Sequence, residues 1–80
     1  MINIKVVGAG CANCEKLAAL CREVIKENQI EATISKVTDM NEIAELGVFV
    51  TPGLVINDVV KSSGKIPTKH TLLHWLQDAL

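Results

Sequence analysis

Eighty residues carrying eight basic and nine acidic side chains, a net charge of −1, one Phe, one Trp and no Tyr lack the basic face and stacking aromatics that nucleic acid requires. No apolar run approaches the ~20 residues of a membrane span, and "MINIKVV" shows no basic segment leading a long apolar one, so neither a bilayer nor a secretory route is expected. Almost half the residues are hydrophobic (49%), enough for one compact domain over residues 1–80, without linker or repeat, in the cytoplasm.

Ile2, Ile4 and Val6 alternate with Asn3, Lys5 and Val7, which predicts a first strand ending at Gly8. Residues 12–28 then take helical spacing, with Cys14, Leu17, Ala18, Cys21, Val24 and Ile25 on one face and Glu15, Lys16, Arg22, Glu23, Lys26 and Glu27 largely elsewhere. Residues 31–37 read as a second strand. Asp39 is the expected N-cap of a short helix, with Glu42 returning a capping box and Gly47 closing it.

Two short apolar runs follow, Leu54, Val55 and Ile56, then Val59 and Val60. They are joined by Asn57-Asp58, residues that tolerate the positive φ of a tight hairpin. Thr68 caps a last helix carrying Leu72, Leu73, Trp75, Leu76, Ala79 and Leu80. The order is βαβαββα. A helix between strands one and two makes them parallel, strands three and four form an antiparallel hairpin, and the result is an α/β fold whose four-stranded mixed sheet has helices on both faces.

The chemistry lies in "VVGAGCANC", residues 6–14. A dinucleotide fingerprint needs a third glycine where Asn13 stands, so the glycines serve the turn into the helix. Three cysteines at 11, 14 and 21 are too few and too uneven for a secreted disulfide scaffold. A lone C-x-x-C at a strand-to-helix junction points to redox or metal chemistry. The helix N-terminus favours a thiolate at Cys11, with Lys16 as a further cation, and the pair can close a disulfide or hold one soft metal ion. Two exposed cysteines have little packing reason to be there. Cys21 reads as a small buried thiol, His70 and His74 as surface residues without a third ligand, Trp75 as core and "SSGK" as a turn.

Pro52, at the entrance of an apolar strand in "GVFVTPGLVIN" (residues 47–57), marks an edge or a special backbone geometry. The order βαβαββα, "GCANC" after the first strand, this proline segment and Gly64 after the fourth strand together resemble the thioredoxin superfamily over essentially the whole chain. The nearest likeness is to the small thioredoxin-like or glutaredoxin-like redox proteins of archaea and bacteria.

The resemblance implies a minimal thioredoxin fold and a thiol–disulfide oxidoreductase or dithiol electron carrier. Cys11 is then the exposed nucleophile, Cys14 the resolving thiol, and Pro52 the cis proline beside them. Thr51 offers its backbone to an extended substrate, and an apolar rim of Gly10, Ala12, Val50 and Thr51 receives protein disulfides. In that family the cis proline also discourages metal capture. No prosthetic group or metal is implied, only disulfide-bearing protein or thiol substrates and an external disulfide reductase.

The sequence departs from ordinary thioredoxins at three places. Gly10 replaces the Trp before the first cysteine, Ala12-Asn13 replace Gly-Pro between the pair, and Lys5 stands where the family has a buried acid as proton acceptor; Glu15 is a candidate to assist the second thiol, though a solvated surface carboxylate is the simpler reading. Two other functions use the same residues. A metallochaperone would pass Cu(I) or Zn(II) between exposed thiolates, although such carriers usually read βαββαβ. A redox-sensing interaction module would change an interface on oxidation.

Overall fold

The computed structural model describes residues 1–8 and 12–80. Its elements run β1 (Ile2–Val7), α1 (Ala12–Asn28), β2 (Ala32–Val37), α2 (Met40–Leu46), β3 (Gly53–Ile56), β4 (Val59–Ser63) and α3 (Lys69–Asp78). The sheet order is β2-β1-β3-β4, with β1 parallel to β2 and antiparallel to β3, and β3 antiparallel to β4. The expected βαβαββα order and mixed sheet are therefore present, with β2 one residue shorter than its pattern.

Alternation along β1 sends side chains to two faces, one covered throughout and the other only at Val7, since Asn3 is exposed and Lys5 half-buried. Ile2, Ile4 and Val6, with Leu54 and Ile56 of β3, pack on Leu17, Ala18, Cys21 and Val24 of α1 and on Leu72 and Leu76 of α3. Val7, Val37 and Val55 pack beneath Ile43 of α2 and Val48. This is why β3 is apolar on successive residues: Leu54, Val55 and Ile56 are all buried, and a strand covered on both sides has no solvent face.

The chain ends of the helices are settled locally. Asp39 accepts from the Asn41 N–H and Thr68 from the Thr71 N–H, so the expected caps form, the first without waiting for Glu42. Gly47, at φ 81, closes α2. Gln29, at φ 52, turns the chain out of α1 so that the Ile30 N–H reaches the Ile25 carbonyl, a six-to-one closure made here without glycine. Asn57 (φ 49) and Asp58 (φ 67) form the hairpin, and the Asn57 side chain accepts from the Asn3 N–H at 2.9 Å.

Two core expectations need correction. Trp75 only packs against the α1/α3 cluster from its edge, since Leu72 and Leu76 already fill the stripe facing the sheet. Leu80 is 77% exposed, because α3 ends at Asp78 and the residue lies past its cap. Lys69 bridges α3 to Glu23 and Glu27 of α1, each at 2.8 Å, an exposed ion pair that contributes little beside the buried apolar contacts.

Candidate active site

The C-terminal end of β1 brings Gly8, Cys14 and Thr51 together. The Gly8 N–H donates to the Val37 carbonyl at 2.9 Å, continuing the β1–β2 ladder one residue beyond the strand. Gly8 has φ 147, a conformation that side-chain-bearing residues rarely adopt. A Cβ here would overlap Cys14 Sγ and come within 3.3 Å of Thr51 Cβ. The bare Cα of Gly8 thus forms a seat shared by a sulfur from α1 and a side chain from the loop before β3.

Cys14 lies in the first turn of α1 and is 5% exposed. Its Sγ is 3.9 Å from the Val7 carbonyl oxygen, a weak S–H donor contact. The expectation of two exposed cysteines is therefore wrong for Cys14: the helix phase that buries Leu17, Ala18 and Cys21 also turns Cys14 onto the strand end. Cys11 and Gly10 lie outside the described residues. Ala12, at the start of α1, is exposed.

Thr51 and Pro52 join this point from the opposite direction. Their peptide bond is cis, Pro52 is buried and Thr51 is exposed. β3 begins at the next residue, Gly53, paired with Val7. Gly53 has no side chain because Val48 Cγ1 occupies the space, 2.6 Å from where a Cβ would stand. The loop thus descends against the sheet at Val48, emerges at residues 49–51, and re-enters at Pro52.

Around the site the surface is apolar. Of the expected rim, Ala12, Val50 and Thr51 are exposed, and the structure adds two residues that the sequence reading did not single out, Met40 at 74% and Phe49 at 87% exposure. They line a groove of about 440 Å³ with Ile43, Ala44, Val48 and Thr51. A large apolar residue inside a turn-rich run, as in "GVFVTPG", cannot join a strand or helix face and was the available sign for Phe49.

Glu15 and Lys5 are each paired with another charge. Glu15 is bonded to Lys36 of β2, which holds its carboxyl below the usual range, so it is a solvated surface partner of lysine. Lys5, which stands where the resemblance leads one to expect a buried acid, sends its ammonium to Asp58 at 3.8 Å. Asp58 is in the hairpin beside Asn3, at the other end of β1 from Gly8, so this charge is drawn away from the sulfur.

Cys21 is fully buried, and burial raises its thiol to about 11. It follows Cys14 by two helical turns, about 10 Å along the axis, too far for the two to bridge. Cys21 should resist iodoacetamide at pH 8 in the folded protein and react fully once urea unfolds it; rapid native-state labelling would contradict the burial. Because its folded value lies above the ordinary 9.0, the thiol supports stability fully below pH 9, and that support is lost as pH rises toward 11.

His70 and His74 are exposed on α3, with His74 Nε2 3.5 Å from Asp78. Among the described residues no three His, Cys, Asp or Glu side chains converge to hold a metal. In the same residues no helix is long and apolar enough to cross a membrane. The expected turn at "SSGK" needs correction: Ser62 and Ser63 are the last residues of β4, and the chain leaves the strand only at Gly64, φ 79.

Comparison with known proteins sharpens this arrangement. A family model described as "Thioredoxin domain" matches residues 2–77. A protein named thioredoxin from Methanocaldococcus jannaschii is 41% identical over 80 residues, spanning 100% of this chain and 92% of that protein. One of the same name from Methanothermobacter thermautotrophicus is 36% identical over 72 residues, spanning 90% of this chain and 94% of its own length.

Proposed function

The chain belongs to the thioredoxin domain family, and from that premise we propose that it is a thiol–disulfide oxidoreductase working through Cys11 and Cys14. The Cys11 thiolate attacks one sulfur of a substrate disulfide. That S–S bond breaks, the leaving sulfur departs as a thiolate and takes a proton, and Cys11 is held in a mixed disulfide. Cys14 then loses its proton and attacks Cys11 Sγ, expelling the second substrate thiol. Two electrons have passed to the substrate and the pair is left as a Cys11–Cys14 disulfide.

The observation that carries this reading is the meeting of Cys14 Sγ, Gly8 and Thr51 at the end of β1. A buried second thiol does not compete for bulky substrates, and it follows the first cysteine by three residues in the chain, the spacing that lets it resolve the mixed disulfide. Thr51 and the exposed Val50 and Phe49 form the edge along which a disulfide-bearing segment lies. The substrates are disulfide-containing proteins or thiols, and an external disulfide reductase or dithiol returns the two electrons. A reducing compartment such as the cytoplasm keeps the pair in its working form.

Insulin reduction with dithiothreitol as electron donor tests this. The protein is expected to accelerate the reaction catalytically, with many turnovers per molecule. A rate no greater than dithiothreitol alone, with tight stoichiometric Cu(I) binding, would overturn the reading in favour of metal transfer.

A further inference from the structure

We propose that Ser63, the last residue of β4, is a positioning residue that fixes the direction of the Thr51 amide for substrate docking. This rests on the oxidoreductase reading above. Residues 48–52 carry no regular secondary structure, so the direction of each peptide group there must be set by contacts. At one end the Val48 N–H donates to the Ile43 carbonyl at 3.3 Å, and at the other the Gly64 N–H donates to the Pro52 carbonyl at 2.8 Å. Between them the Ser63 hydroxyl donates to the Val50 carbonyl at 2.9 Å.

That third bond decides the orientation of the edge. The Val50–Thr51 peptide is planar and trans, so its C=O and N–H point in opposite directions. With the carbonyl held toward Ser63, the Thr51 N–H is directed away from β4. Among the described residues nothing accepts a hydrogen bond from it. Thr51 itself is exposed, and its amide faces the side from which an extended chain would arrive. A turn of this peptide plane would present the carbonyl instead and swing the amide toward β4, and the Ser63 hydroxyl opposes that turn.

The neighbouring residue makes the approach possible. Gly64 has φ 79, and a Cβ on it would stand 2.7 Å from Val50 Cγ1. The end of β4 thus lies flush against Val50, within reach of a side chain as short as serine. A small disulfide that needs only the sulfur has no use for the Thr51 amide, whereas a protein segment lying along the loop does.

The test compares wild type, Ser63→Ala and Ser63→Thr on insulin, a protein disulfide, and on cystamine, a small one. Ser63→Ala is expected to raise KM for insulin about three- to tenfold, the scale of one lost hydrogen bond, with kcat and the cystamine rate within twofold of wild type. Ser63→Thr, which keeps the hydroxyl, should restore KM. In the same variants the NMR carbonyl-carbon shift of Val50 reads the bond without any activity, and should move in Ser63→Ala and return in Ser63→Thr. An unchanged insulin KM, an equal fall on cystamine, or no rescue by threonine would overturn the assignment. A wild type inert on both substrates, with the Val50 shift behaving as expected, would instead overturn the oxidoreductase reading and leave the contact established.

Discussion

Cys11→Ser is expected to lower insulin reduction to the dithiothreitol background, a loss on the order of 10³-fold or more, as for removal of other covalent nucleophiles. The reason is chemical and not structural. A serine hydroxyl does not ionise near neutral pH and cannot form an S–S bond, so neither the mixed disulfide nor the final intramolecular one can be made. Cys14→Ser should behave differently: the first attack proceeds, the second has no thiol, and the protein reacts once and stops. Stopped-flow kinetics separate the cases, with a burst equal to the protein concentration for Cys14→Ser and none for Cys11→Ser. Equal bursts from the two variants would contradict the division of roles.

Gly8→Ala should destabilise the fold by about 2–4 kcal/mol, from an L-residue forced to positive φ and from overpacking against a neighbour. The overlap is with Cys14 Sγ, and secondarily with Thr51, so a double-mutant cycle can isolate it. In a Cys14→Ala background the methyl group has room, and the same substitution should cost about 1–2 kcal/mol less. Urea unfolding of the four proteins gives the coupling. Additive costs would mean that the sulfur does not rest on Gly8, and that the backbone conformation alone requires glycine there.

Much of this molecule could be read along the chain because the determining interactions are local. The caps at Asp39 and Thr68, the Gly47 stop and the Asn57-Asp58 hairpin each depend on residues within a few positions. The 3.6-residue period of α1 placed Cys14, Leu17, Ala18, Cys21 and Val24 correctly on the buried face. Family resemblance, by contrast, supplied the roles assigned to Thr51 and Pro52, which no local pattern contains.

What escaped the sequence is non-local. The close approach of Cys14 Sγ to the end of β1 is permitted by Gly8, which reads on its own as an ordinary turn glycine. Ser63 is an unremarked polar residue at a strand end until the fold brings it to Val50, 13 residues earlier. Met40 and Phe49 follow no period that would identify a surface groove. Trp75 matched the apolar stripe of α3, but the sheet below has room for Leu72 and Leu76 and leaves the indole at the margin.

In the proposed reaction Cys11 is the sulfur that meets the substrate and Cys14 the one that releases it. Trapping decides it most directly. Reduced Cys14→Ser is mixed with oxidised insulin, free thiols are blocked, and the adduct is digested with trypsin and mapped by mass spectrometry. The substrate peptide is predicted on the fragment spanning residues 6–16, which then holds Cys11 as its sole thiol. An adduct on residues 17–22, which carry Cys21, or a stable adduct formed by Cys11→Ser through Cys14 and not by Cys14→Ser, would contradict it.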